Sequence, residues 1–175
     1  MSWIGRCIPA LVVAIGSAMV PPLRASPVVD CPAMVRGQID GLYRWIQEEQ
    51  PQALATAIAN QRQRFTPQLF ELLERATALT PADGRFIDFD LFSGTQVSTF
   101  GASVLGCRQL QADAVEALVA VQVGLRGRSA EPPQQLRYLL RESSAHGWRI
   151  DDITYPEIPP FRLRTYLQEL LGGAQ

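Results

Sequence analysis

The chain has 175 residues, of which 47% are hydrophobic and 19% charged, and its formal net charge is −1. That length supports one domain of ordinary size. The balance excludes a strongly basic nucleic-acid binder, and the apolar content with so little net charge excludes a disordered chain.

In chain order, residues 1–25 come first. Arg6 supplies a positive start, Ile8 to Val20 an apolar run, Pro21-Pro22 a helix stop, and Leu23-Arg24-Ala25 a cleavage sequence ending at Ala25. This pattern predicts a signal peptide, and with it a periplasmic or extracellular location. The run falls short of the roughly 20 apolar residues of a comfortable transmembrane helix. No later segment is longer, so no transmembrane segment is expected after cleavage. Export leaves two cysteines, Cys31 and Cys107. An even count in an oxidising compartment reads as a disulfide. Two distant cysteines and a single histidine do not make a zinc site, and neither a metal nor a cofactor is expected.

Residues 26–32 read as an extended lead-in and residues 33–171 as a single domain. Ala33 to Glu49 has a helical period, with Val35, Ile39, Leu42, Tyr43 and Ile46 on one apolar face. Gln52 to Gln63 reads as a second, Ala-rich helix. Thr66-Pro67 reads as an N-cap with Pro at the first helical position. It opens a third helix, Pro67 to Thr77, with Leu69, Leu72, Leu73 and Ala76 inward. After the turn cluster around Pro81 and Gly84 the period changes to two. Strands are expected over Val97 to Leu105, Ala112 to Leu125, Gln135 to Ser143 and Gly147 to Tyr155. In the second of these, Val115, Ala117, Val119, Val121 and Val123 share a face. In the last, strict alternation puts Trp148, Ile150, Asp152 and Thr154 on one face. Arg149, Asp151, Ile153 and Tyr155 take the other. Arg162 to Leu171 reads as a closing helix stopped by Gly172-Gly173. Helices followed by an antiparallel meander predict the α+β class, with a curved sheet wrapped on the N-terminal helices.

Four stretches carry a family resemblance. They are Leu42-Tyr43-Arg44-Trp45, Arg64-Phe65-Thr66-Pro67-Gln68-Leu69, Ile87-Asp88-Phe89-Asp90-Leu91-Phe92-Ser93-Gly94-Thr95-Gln96, and Trp148-Arg149-Ile150-Asp151-Asp152-Ile153-Thr154-Tyr155-Pro156. Their order resembles a family of bacterial exported proteins and lipoproteins that carries a domain of unknown function. That family is similar to the nuclear transport factor two-like superfamily. The resemblance implies export and a cone-like, cystatin-like roll, and no established chemistry. The chain departs from it in lacking a lipobox before Cys31 and in an Ile-Pro-Pro stretch after Tyr155.

Several residues are candidates for chemistry. Asp151 or Asp152 at the mouth of a cone, with Tyr43, would suit general acid–base catalysis. The structural alternative has these carboxylates accepting backbone N–H bonds or pairing with Arg137, Arg141 or Arg149. Asp88 and Asp90, with Ser93 and Gln96, offer oxygen ligands but do not meet a calcium-loop pattern. His146, beside Ser143 and Ser144, reads as a turn residue rather than part of a hydrolase triad. Trp45, Phe100, Tyr138 and Trp148 are candidates to line a ligand cavity, or to be ordinary core. Arg126, Arg128 and Arg137 form a local basic group around a Pro-rich loop. The reading drawn from these residues is a non-catalytic binding module of the cell envelope, for a small apolar ligand or an envelope protein. The alternative is a small isomerase- or dehydratase-type enzyme using an Asp and a Tyr. An envelope interaction protein with a filled core and an exposed sheet is a third reading.

Overall fold

The computed structural model describes residues 30–48, 58–79, 89–125, 128–129 and 132–173. The expected signal peptide, the first part of the second helix, the turn at Pro81, Asp88 and Arg126 lie outside these residues.

The helices follow from their apolar spacing. Helix α1 is Ala33–Glu48, and it buries Val35, Ile39, Leu42, Tyr43 and Ile46, the face that the period predicts. The second helix does not reach Gln63. Residues 58–60 are helical, and a 3-10 turn, Arg62–Arg64, follows them. This turn is docked on both sides. Gly41 on α1 leaves the space that the Arg64 guanidinium fills, and Arg64 Nη1 donates to the Gln38 carbonyl at 3.4 Å. Beyond it, the Thr66 N–H donates to the Ile150 carbonyl at 2.8 Å. Helix α2 is Pro67–Thr77, as predicted, with the Thr66 hydroxyl accepting from the Leu69 N–H. Its inward residues are Leu69, Phe70, Leu73 and Ala76; Phe70 takes the place expected for Leu72, which is only half-buried.

Strands β1 (Ser98–Gln111), β2 (Ala114–Leu125), β3 (Arg128–Ser129), β4 (Gln134–Ser143), β5 (Gly147–Tyr155) and β6 (Phe161–Arg162) form one antiparallel sheet. Its order is β1-β2-β4-β5-β6, with β3 paired beside β2. The alternating residues of β2 from Val115 to Val123 are all buried, as their period requires. Helix α3, Leu163–Gly173, follows β6 and runs through both glycines instead of stopping at them. With helices before and after one antiparallel sheet, the chain is α+β. A single apolar cluster joins the inward residues of α1, α2, α3 and the sheet.

Two strands depart from simple alternation. β1 is longer than its sequence pattern, because three bulges at Phe100, Leu105 and Leu110 interrupt the pairing with β2. Each bulge adds an unpaired residue and bends the strand. Side chains hold carbonyls at these places: Gln47 on that of Phe100, Arg36 on that of Val104, and Gln109 on that of Gln111. In β5 the extra residue is Asp151. Residues opposite one another across an antiparallel pair share a face. Tyr138 and Leu140 share a face of β4, and their partners are Ile153 and Ile150. Trp148 and Ile150 therefore lie on the same covered side as Ile153 and Tyr155. This corrects the strict alternation expected for Gly147 to Tyr155; the bulge changes its phase.

Cys31 and Cys107 form a disulfide that ties the start of α1 to the middle of β1. Among the described residues, no helix is long and apolar enough to cross a membrane.

Candidate functional site

Three tyrosines meet in the core and hold the loop that precedes β1. Tyr43 comes from α1, Tyr138 from β4 and Tyr155 from β5, and all three are buried. The Tyr43 hydroxyl donates to the Phe92 carbonyl at 2.6 Å. Its oxygen is then left to accept from the Tyr138 hydroxyl at 2.8 Å. The Tyr155 hydroxyl donates to the Leu91 carbonyl at 2.7 Å. Burial raises the pKa of each phenol well above its ordinary value.

Asp90 anchors the same loop. One carboxylate oxygen accepts from the Phe92 N–H at 2.8 Å and the other from the Thr99 hydroxyl at 3.3 Å. Burial raises its pKa, and these hydrogen bonds pull it the other way. The protons and lone pairs of this cluster are thus engaged in fixing backbone. Ser93 and Gln96, the described residues that the sequence offers as oxygen ligands beside Asp90, do not converge on a common point. The Ser93 hydroxyl bonds the Thr95 hydroxyl, and Gln96 is exposed. Among the described residues, no group of three or more His, Cys, Asp or Glu side chains is placed to hold a metal ion.

The bulge in β5 brings the buried carboxylates of Asp151 and Asp152 into two networks that share Arg164. Asp151 accepts from the Thr66 hydroxyl and Arg164 Nη1, both at 2.8 Å, and from Arg141 Nε at 3.2 Å. Asp152 accepts from the N–H groups of Ile153 and Arg164 at 2.9 and 3.0 Å, and pairs with Arg162 at 2.8 Å. Each carboxylate binds a neighbouring element to β5: α2 through Thr66, and β6 with α3 through Arg162 and Arg164. Neither hydrogen-bonds Tyr43. Of the expected arginines, Arg141 takes part. Arg162 and Arg164 carry no signal in the sequence beyond the Arg-Leu-Arg spacing, because only the return of the chain past β5 brings them close.

The aromatic candidates are dispersed. Tyr138 is core, and Trp148 is buried on the covered side of the sheet. Trp45 is half-buried, edge-on to Phe92 with centroids 6.3 Å apart. Phe100 is the bulged residue near the start of β1.

A groove of about 390 Å³ lies outside the core, where the 3-10 turn, the start of α2 and the β4–β5 turn converge. It is lined by Arg62, Gln63, Phe65, Pro67, Phe70, His146 and Arg149; Phe65 and Phe70 themselves are buried, and the Phe65 ring stacks on Phe92. The Arg62 guanidinium carbon sits 5.0 Å from the centroid of the Phe70 ring. Arg149 Nη1 donates to the Phe65 carbonyl at 3.4 Å, while its Nε is buried with no hydrogen-bond partner. Among the described residues, no ion pair joins Arg62, His146 or Arg149 to a carboxylate. A smaller groove of about 200 Å³ on the sheet is lined by Arg108, Glu116 and Arg137, of which Arg108 pairs with Glu116 at 2.8 Å.

Sequence reasoning did not single out Arg62, Phe70 or Arg149 as a set. The local signal was the Gln-Arg-Gln-Arg-Phe run ahead of the Thr66 cap, where cations flank an aromatic. Comparison of the chain with protein-family models, with curated proteins and with solved structures finds no match. Its functional reading therefore rests on this geometry and chemistry.

Proposed function

We propose that the chain is an exported, non-catalytic binding module of the cell envelope, periplasmic or extracellular. The observation that carries the non-catalytic part is the engagement, among the described residues, of the candidate acids and bases in and beside the core. Tyr43, Tyr138 and Tyr155 are committed to one another or to loop carbonyls, and Asp90, Asp151 and Asp152 to hydrogen bonds and ion pairs. A general base needs an accessible lone pair within reach of substrate. The isomerase- or dehydratase-type alternative requires an Asp and a Tyr in a common cavity, and the nearest such combination, Asp90 with the tyrosines, is packed against backbone.

Export is supported by the signal-like residues 1–25 and by the Cys31–Cys107 disulfide, since such bonds persist in oxidising compartments. The bent β1 and the helices on the covered side of the sheet fit the cone-like, cystatin-like roll implied by the resemblance to exported proteins.

Intact and native mass spectrometry of the protein from an exporting host tests this reading. The expected denatured mass lacks residues 1–25 and the two thiol hydrogens. The native spectrum should carry an adduct that denaturation removes. An unprocessed, reduced chain would overturn export.

A further inference from the structure

The smaller groove, on the sheet face turned away from the core, holds opposite charges that do not meet. Strand register builds it. Gly106, Leu118 and Arg137 lie side by side on β1, β2 and β4, and Arg108 and Glu116 form the next row on β1 and β2. Arg137 is exposed and makes no ion pair among the described residues. Its direct partners across the strands, Leu118 and Thr154, carry no charge. Diagonal neighbours in a sheet lie about 7–8 Å away, within reach of a long side chain. The carboxylates at those positions are Glu116 and Asp152, and each is held by another arginine. Arg108 binds Glu116 and Arg162 binds Asp152, both at 2.8 Å. Arg137 is thereby left as an unmatched cation. Glu116 is engaged through Oε1 alone, and its side chain keeps 23% exposure. It lines the groove with Arg137, with half-buried Leu118 beside both. The bond to Arg108 restrains Glu116 before any ligand arrives, which lowers the ordering cost of binding. The volume of about 200 Å³ falls below the roughly 300–1,000 Å³ of pockets for drug-sized ligands, so the occupant is small.

We propose that this groove binds a free α-amino acid with a small apolar side chain. The carboxylate meets Arg137, the ammonium meets Glu116, and the side chain rests on Leu118. Guanidinium suits the first contact because its planar fork matches carboxylate oxygens. Glu116 accepts from the ammonium through the oxygen that Arg108 leaves free, and its charge repels a dianion such as phosphate. The inference rests on the binding-module reading and supplies its ligand class.

Nuclear magnetic resonance titration of the disulfide-bonded protein with L-valine, isovalerate, isobutylamine and inorganic phosphate tests it. Isovalerate is valine without the ammonium, and isobutylamine is valine without the carboxylate. Valine should shift the amides of Gly106, Leu118 and Arg137 saturably. Isovalerate and isobutylamine should each bind at least tenfold more weakly, the loss expected of one charge-assisted hydrogen bond. Phosphate should leave those amides in place. Arg137→Gln removes an exposed side chain without an ion pair, so folding stays intact, and it should weaken valine at least tenfold. Glu116→Gln should weaken valine by a similar factor and leave isovalerate no weaker. No saturable shift with valine overturns the proposal. So does isovalerate or phosphate binding as tightly as valine, or valine binding that Arg137→Gln leaves unchanged. In each of these cases an adduct in the native mass spectrum would keep the binding-module reading standing, and its absence would remove that reading as well.

Discussion

At the residue scale, Gly94 shows how closely the core tyrosines and the loop fit. Its φ is +68°, and a Cβ there would stand 2.9 Å from Tyr155 Cδ1. Tyr155 cannot retreat, because its hydroxyl is bonded to the Leu91 carbonyl three residues earlier in the same loop. Gly94→Ala should therefore cost about 1–3 kcal/mol from the left-handed backbone, with the contact adding to it. Urea unfolding would show this as a lower midpoint with an unchanged slope. The need for Gly94 was not legible in the sequence. Phe92-Ser93-Gly94-Thr95 announces a turn, but nothing there says that an aromatic from a strand sixty residues on will lie against it.

At the element scale, β5 depends on its bulge. The extra residue turns Asp151 toward the N-cap of α2 while Asp152 holds the N-terminus of α3. One strand thereby anchors two helices through adjacent carboxylates. Asp151→Asn keeps the shape and removes the charge that Arg141 and Arg164 approach. The expected loss is about 1.5–3 kcal/mol, the range for hydrogen bonds to a charged group. Thermal melts of this variant beside Arg164→Met should show similar shifts, and the double variant less than their sum. The extent of β5 was legible from its β-branched and aromatic residues, and so was α2 from Thr66-Pro67. The bulge was not, because Trp-Arg-Ile-Asp-Asp-Ile-Thr-Tyr reads as regular alternation with either Asp inward. Only the partner strand, with Tyr138 and Leu140 two residues apart, fixes where the phase breaks.

At the scale of the whole molecule, two features tie the ends of the fold together. The disulfide joins α1 to β1 across 76 residues of sequence. In the chain-entropy model a loop of that size stabilises by roughly 4–5 kcal/mol, so reduction should lower the melting temperature sharply without changing the folded spectrum. The tyrosine cluster joins α1, β4 and β5, and it sets an alkaline limit. Phenol pKa values raised in the folded state mean that, above about pH 10, the unfolded chain has released protons that the folded chain still holds. Stability should then fall as pH rises. Absorbance near 295 nm should show tyrosinates of Tyr43, Tyr138 and Tyr155 appearing in the same step as loss of the far-ultraviolet dichroism. Ionisation of more than one tyrosine ahead of that step, beyond what the fourth, Tyr166, can contribute, would mean that the core opens locally. The pairing of Cys31 with Cys107 was legible from cysteine count once export was read from residues 1–25. The groove was not, since Arg62 and Arg149 become neighbours only when the turn before α2 docks on β5.

The bulges of β1 bear on how copies of the molecule meet. Among the described residues β1 ends the sheet, and such a strand normally offers a row of free amides and carbonyls on which another chain can polymerise. Here the row is broken three times, and side chains of Arg36 and Gln47 already occupy carbonyls at two of the breaks. An incoming strand would fall out of step with β1 after a few residues. Leu105 and Leu110, though exposed, sit on kinks rather than along a flat ribbon. The irregularity that hides the length of β1 from a reader of the sequence also makes it a poor template for a growing fibre.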